Sequence, residues 1–300
     1  MSEKQTLTKK IDFAVIFRVK NANPNGNPLD GNRPRITDQG LGEVSDVCIK
    51  RKIRDRLQDA GEAIFVQSDD RRIDDYESLK KRADGEIGDV LKGGNPVAIR
   101  NAACAKWLDV RAFGQVFAFK SEKPHKAKGG KKSGGEENEE EAVDAASSKG
   151  VSIPIRGPVT VFPAFSTERL TVSSTQITKS VSSEKTGDAR SSDTMGMKHR
   201  IDNGVYWFTG SINPQLAERT GFTDADAEKI KALLPRLFEN DASSARPDGS
   251  MSVLKVFWWE QPTGNMYSSA RVHGSLNVAV DGTATLTPLE GLEPEEIPGF

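Results

Sequence analysis

Between Lys10 and Lys20 apolar side chains occupy alternate positions, Ile11, Phe13, Val15, Phe17 and Val19, which predicts a strand with one buried face. The alternation stops at residues 21–35, "NANPNGNPLDGNRPR", where five asparagines, three prolines and two glycines leave almost nothing to bury. At Ser45 the period lengthens. Ser45 is a helix cap, and Ile49, Ile53, Leu57 and Ala60 recur at helical spacing, so a helix is predicted to run to Ala60. Farther on, "DDRRIDDYESLKKRADG" reads as a charged surface helix and "AIRNAACAKWLDVRAFGQVFAF" as a buried helix leading into a strand or turn. Prolines mark "VSIPIRGPVTVF" as an edge strand, because proline cannot donate to a ladder. "GVYWFTGSI" and "MSVLKVFWWE" are strands, and "SLNVAV" is a further one. Between them Thr223 caps a helix with Ile230, Leu233, Leu234, Leu237 and Phe238 on one face, which Pro235 should kink or end.

Two stretches fit no element of a core. Residues 120–150 carry seven Lys/Arg, seven Asp/Glu and no periodicity, a composition that predicts a mobile charged insertion. Residues 166–200 hold fourteen Ser/Thr and six Lys/Arg, too polar for core and too long for a hairpin turn. Val172, Ile177 and Val181 keep some alternation there, which predicts a two-stranded protrusion that closes over a ligand or a neighbouring subunit. In order, the main elements read β-α-(insertion)-β-(insertion)-β-α-β. That is an α+β chain of the ferredoxin-like, split βαβ kind, a four-stranded sheet backed by two helices. RNA-recognition domains use this arrangement, and so do many enzymes and metal chaperones.

Composition sharpens the picture only locally. Apolar residues make up 36% of 300 positions, low for a compact enzyme and in keeping with exposed insertions. The formal net charge is −1, but residues 281–300, an acidic tail, carry five acids and no cation. Setting the tail and the charged insertion aside leaves a mildly basic body, so a nucleic-acid interface would have to concentrate its charge. No apolar run reaches the roughly 20 residues that span a bilayer, and the N-terminal stretch has no apolar targeting core. Cys48 and Cys104 lack CxxC spacing and read as reduced core thiols of a cytoplasmic protein.

Catalytic signals are thin. His125, His199 and His273 stand apart from one another and from the cysteines, and no Walker A or GxSxG stretch occurs. Asp30 and Asp38 flank the polar loop. A carboxylate beside a phosphodiester can hold a metal, so a metal-dependent RNA endonuclease using Asp30 or Asp38 is the alternative reading. Against it stands the ordinary use of aspartate in Pro/Gly loops, where it caps turns. Binding signals are better. "IKRKIRDRL" puts five cations into nine positions, and Lys50, Arg51 and Arg54 fall within about 100° along one helix flank. Just ahead, the amides of Asn21, Asn23, Asn25 and Asn27 suit phosphate and sugar oxygens, in a connection far longer than the usual 2 to 6 or so residues.

The strand running into "NANPNGNPLDGNRPR", the helix "SDVCIKRKIRDRL", the segment "DVRAFGQVFAF", and "STQITKSV" followed by "MGMKHRIDNGVYWFTGSINP" resemble the type I-C (Dvulg) CRISPR Cascade backbone subunit. The likeness runs from Ile11 to Glu260, and the asparagine-proline loop and the protrusion are its most specific parts. It implies a non-enzymatic building block without cofactor or metal: an RRM-like palm with inserted fingers and a thumb. Copies stack head to tail along the spacer of a CRISPR RNA. Each thumb reaches across its neighbour and displaces a guide nucleotide, leaving the intervening bases to pair with target DNA in antiviral defence. Carried onto this chain, Lys50, Arg51 and Arg54 contact guide phosphates and Asn21 to Asn27 line the same groove. Residues 166–200 are the thumb, with Thr178, Lys179, Ser180 and Met195 near the displaced nucleotide and Lys198 and Arg200 on the same element. Arg111 and Gln115 are further backbone contacts. The implied partners are CRISPR RNA, the target DNA strand, other copies of the chain, and the Cascade 5′-handle, large and small subunits, with no membrane. Related subunits of type III complexes cut RNA with a loop aspartate, whereas the type I backbone does not cut.

Overall fold

The computed structural model describes residues 5–119, 151–178, 195–262 and 266–300; the insertion expected at residues 120–150, with His125, lies outside them, as do Lys179 and Ser180. The chain opens with β1 (Lys10–Ala22), then β2 (Gly26–Asn27) and β3 (Arg33–Pro34) inside the asparagine loop, β4 (Leu41–Val44) and α1 (Asp46–Asp59). Three helices follow, α2 (Leu79–Lys92), α3 (Pro96–Lys106) and α4 (Leu108–Phe113), and then a ribbon of β5 (Gly114–Phe119) and β6 (Val151–Arg156). β7 (Val159–Val161), β8 (Ala164–Arg169), β9 (Val172–Thr178) and the long β10 (Met195–Ile212) come next. α5 (Pro214–Thr220) and α6 (Asp224–Leu233) precede β11 (Met251–Gln261). The chain closes with α7 (Ser269–His273), β12 (Leu276–Val278), β13 (Ala284–Leu286) and β14 (Glu295–Pro298).

The main sheet runs β14-β11-β1-β10-β8-β4, with β7 and β9 also on β10, and its ladders are antiparallel. α1 and α6 cover one face, where Phe13, Val15, Phe17 and Val19 meet Ile49, Ile53, Leu57 and Ile230. Phe17 stacks on Tyr206 of the next strand at 5.4 Å. Both helices start where their caps predict. Ser45 accepts from the Cys48 N–H, and Thr223 closes a capping box with Asp226. α6 ends at Leu233, and Pro235 sits in a 3-10 turn, Leu234–Arg236, as its missing N–H requires.

Several expectations need correction. β1 is buried on both faces, not one. Residues 266–300 pack across the second face, where Val272, Leu276, Leu289 and Leu292 meet Ala14, Ile16, Phe257 and Trp259. The acidic stretch is therefore no tail. It supplies an edge strand and core leucines, and two of its five acids are paired, Glu295 with Lys231 and Glu296 with Lys255. The charged helix starts at Leu79, not near Asp69, because Ser78 caps it while Asp74 is held by Arg82 and the Tyr76 N–H. Ala60 is the exposed C-cap of α1 and not part of its stripe. Gly157 and Pro158 divide the proline-marked strand in two: β6 pairs with β5 and β7 with β10. A Cβ at Gly157 would stand 2.1 Å from the Ala112 carbonyl oxygen, so only glycine fits that crossing. The stretch between α1 and β7 packs its own cluster around Phe65, Trp107 and Phe117.

Cys104 is buried, Cys48 is half-buried and both are free. Burial raises both thiol pKa values, to about 11 at Cys104. Among the described residues no helix is long and apolar enough to cross a membrane.

Candidate nucleic-acid interface

The asparagine loop spends most of its amides on itself. Asn23 is buried and donates to the Asn32 carbonyl at 2.7 Å. Asn25 Oδ1 accepts from the Ser45 N–H and Oγ, both at 3.0 Å, which seats the loop on the start of α1. Asn27 Oδ1 accepts from the Leu29 N–H at 3.2 Å, and its carbonyl accepts from Asp30 and Asn32. Only Asn21 of the four is exposed, at φ +53°, where the chain swings out of β1. These bonds brace the loop on itself and on Ser45, although the buried Asn23 Oδ1 has no hydrogen bond among the described residues.

The basic flank of α1 is similarly engaged. Lys50 pairs with Asp46 at 2.9 Å on the surface. Arg51 binds Asp55 at 3.0 Å and the Val66 carbonyl at 2.7 Å, and burial pulls its guanidinium pKa down. Arg54 lies over the Phe113 ring and donates to Asp109 at 2.9 Å. Asp109 is fully buried and also accepts the Phe65 and Val66 N–H groups at 2.7 and 3.1 Å. Arg111 makes a two-pronged pair with Asp226, 2.8 Å on each prong, and donates to the Cys104 carbonyl. Burial alone would raise the Asp226 pKa, but the Arg111 bonds and charge hold it below the usual carboxylate value. Gln115 reaches only the adjacent Val116 carbonyl, at 3.4 Å. Arg111 borders a separate crevice of about 440 Å³ shared with Asn101, Cys104 and Arg219.

The structure instead builds a groove of about 490 Å³ between the asparagine loop and the foot of a projecting hairpin. Asn27, Asp30, Arg33 and Arg35 form one wall, Glu43 the floor, and Leu170, Thr171 and Val172 the other wall. Arg33 reaches across it to Ser174 Oγ at 3.4 Å, and Ser174 is bonded in turn to His199 Nδ1 at 2.8 Å. Among the described residues the Arg35 side chain has no carboxylate partner, and its buried Nε has no hydrogen bond. An unpaired guanidinium in a groove is an anion site by elementary electrostatics.

The hairpin is β9 paired to the first part of β10, from Val172↔Ile201 to Thr178↔Met195. It starts later than residue 166, because β8 belongs to the sheet. Val172 and Ile201 join the core, and Ser174 and His199 continue that face over the groove. Lys198 and Arg200 occupy the alternate positions; Lys198 is exposed and Arg200 pairs with Asp202 at 2.9 Å. Arg33 and Arg35 carry no periodic signal, and only the β2–β3 ladder, Gly26↔Pro34 and Asn27↔Arg33, turns them toward β9. Asp30 is exposed 3.9 Å from Arg33 and Asp38 is exposed as well. Among the described residues no three His, Cys, Asp or Glu side chains gather where a metal could sit.

Fold and groove together define a mixed α/β protein with a polar cleft, lined by Arg33 and Arg35 and by Asp30 and Glu43, between a braced loop and a β-hairpin. The family described as "CRISPR-associated protein Cas7" matches residues 9–293, and the chain belongs to that family. A relative from Haloferax volcanii, described as "CRISPR-associated protein Cas7", is 28% identical over 253 residues, 84% of this chain and 70% of the relative. Among solved structures, a chain of a "CRISPR RNA-guided surveillance complex, pre-nicking" is 16% identical, with a TM-score of 0.43 over 83% of this chain and 78% of that one. A chain of a "CRISPR RNA-guided surveillance complex" is also 16% identical, with a TM-score of 0.44 over 91% and 77%.

Proposed function

We propose that the chain is the RNA-binding backbone subunit of a type I-C CRISPR surveillance complex, laid head to tail along CRISPR RNA in the cytoplasm. Membership of the Cas7 family supports the class. The observation that carries the RNA role is the groove, where Arg35 makes no ion pair among the described residues and lies beside Arg33 and the hairpin. The strand order β11-β1-β10-β8, with α1 following β1 and α6 following β10, supports a split βαβ palm. In this reading the β9–β10 hairpin is the thumb, carrying Thr178, Met195, Lys198 and Arg200; Lys179 and Ser180 lie outside the described residues. Asn21, Asn27 and Lys50 line the guide track with Arg33 and Arg35. Asn23 and Asn25 hold the loop in shape, and Gln115 lies outside the groove. Arg51, Arg54 and Arg111 brace the fold through their carboxylates. Contacts to phosphate do not read sequence, as a guide holder that accepts any spacer needs. Non-closing head-to-tail contacts give an open helix, which lets many mildly charged grooves act in sum.

The test is co-expression with a CRISPR array, followed by purification, absorbance at 260 and 280 nm, and sequencing of the bound RNA. Guide-length CRISPR RNA is expected. Arg33→Gln and Arg35→Gln should weaken binding alike for all guides, each lowering the slope of log K against log salt by roughly 0.7. Protein that purifies free of RNA, or variants with the parent's salt slope, would overturn the reading.

A further inference from the structure

The sheet offers a second surface, on the face turned away from α1 and α6. The C-terminal segment covers β11, β1 and part of β10 there, and its packing reaches as far as Trp207. Next to Trp207, on β8, stands Phe165, which is 38% exposed. Phe165 is paired across one side with Trp207 and across the other with Glu43, and residues directly opposite in an antiparallel ladder share a face. Phe162, 54% exposed, bonds through its N–H to the Thr209 carbonyl and meets the edge of His273 at 6.0 Å. The two phenylalanines are three residues apart, roughly 10 Å at about 3.3 Å per residue.

Three cations lie on this face toward the Phe165 end of the sheet. Arg169 lies two positions beyond Thr167 on the Phe165 side of β8, and Lys20 lies opposite Asn203 at the same end of the sheet. Both are exposed, and neither has an ion pair among the described residues. Arg18 donates to the Asp281 carbonyl at 3.1 Å. Among the acids near this surface, Glu43 stands opposite Phe165, Asp281 meets Arg18 and Asp12 is buried beneath His273.

We propose that this face is a stacking platform for single-stranded nucleic acid, adjoining the guide groove at β4 and the end of β8. Each exposed ring gives one base a π-face to lie on, and Arg169, Lys20 and Arg18 take the phosphates. Such contacts tolerate any base, because every base has a π-face. The patch suits a strand better than a protein partner, since only two large rings are well exposed and cations border them, whereas the core of a protein interface is depleted of charge.

The test is a titration of fluorescein-labelled oligothymidylate into protein purified with its guide RNA, so that the groove is already filled, read by fluorescence anisotropy. Phe162→Ala and Phe165→Ala should each weaken binding roughly ten-fold, and Phe165→Trp should restore it. Arg169→Gln should lower the salt slope by roughly 0.7, with guide content unchanged in all variants. Phe162→Ala should leave the melting temperature nearly unchanged, whereas Phe165→Ala also loses its packing on Trp207, which Phe165→Trp keeps. Unchanged oligothymidylate affinity in the double alanine variant would overturn the platform. So would loss of the guide along with the probe, or loss of a protein partner from the assembled complex with probe binding intact. If the chain carries no RNA from cells, the same titration on RNA-free protein still decides the matter, so failure of the guide-binding role and failure of the platform remain distinguishable.

Discussion

Asp109→Asn separates a brace from a phosphate ligand. Asp109 is fully buried in the first turn of α4 and accepts three donors: Phe65 N–H at 2.7 Å, Val66 N–H at 3.1 Å and Arg54 Nε at 2.9 Å. One carboxylate thereby ties α1 to the segment that follows it and to α4. Hydrogen bonds to a charged group contribute about 1.5–3 kcal/mol each, and removing one partner of a buried pair costs about 3–5 kcal/mol. An asparagine keeps one acceptor oxygen, and the Arg54 side chain is 12% exposed, so water can reach part of it. Both facts favour the lower end, about 3 kcal/mol, or roughly 6–12 °C in Tm for a chain of this size. Arg54→Gln should cost less, because Asp109 retains its two backbone donors. Thermal and urea unfolding of both single variants and the double variant would give the coupling between them, expected within about 0.5–3 kcal/mol. Guide affinity well below Tm should match the parent in each. Two results would refute the reasoning: a stability change under about 1 kcal/mol for Asp109→Asn, or an Arg54→Gln protein of parental stability with weaker, less salt-dependent RNA binding. The second would make Arg54 the phosphate ligand that its place on the helix flank suggests.

Three further outcomes are expected. The Tyr206 hydroxyl is buried without a hydrogen bond among the described residues, and burial alone raises its pKa, so Tyr206→Phe should stabilise by about 1 kcal/mol in urea unfolding. A destabilised variant would reveal a partner for the hydroxyl. Burial lowers the pKa of His273, with Asp12 pulling the other way, so the folded state disfavours the protonated ring. That contribution is complete above the ordinary histidine pKa of about 6.5 and is lost as pH falls through the lowered folded value. Tm should therefore decline from pH 7 to 5, less so in His273→Gln, and parallel declines would exclude the residue. Replacing residues 173–200 with a short Gly/Ser connector should leave a folded protein, since β1, β10 and β8 still pair, but abolish regular assembly on spacer-length RNA. Electron microscopy showing filaments of the variant would remove the thumb assignment.

Local chemistry was legible before any fold was known. The alternation from Ile11 to Val19, the caps Ser45 and Thr223, and the stop at Pro235 each depend on residues within a few positions, and each produced the element it predicts. The polar character of residues 21–35 likewise produced a loop, closed by a short β2–β3 ladder. What those amides face was not legible. Asn25 is engaged by Ser45, and Asn23 by Asn32, only once the loop has closed on itself.

Charges show the limit most clearly. Arg51, Arg54 and Arg111 could be read as cations, but not as cations already paired. Arg54 finds Asp109 at a separation of 55 residues and Arg111 finds Asp226 at 115. The burial of residues 281–300 was hidden for the same reason, because its leucines meet a sheet face made by strands at the other end of the chain. Arg35, unmarked by any period, makes no ion pair among the described residues, although Glu43 lines the same groove. Sequence determines which groups want an opposite charge or a dry surface. Only the tertiary structure decides which are satisfied within the chain, since that depends on contacts between segments whose spacing along the chain carries no signal of their meeting.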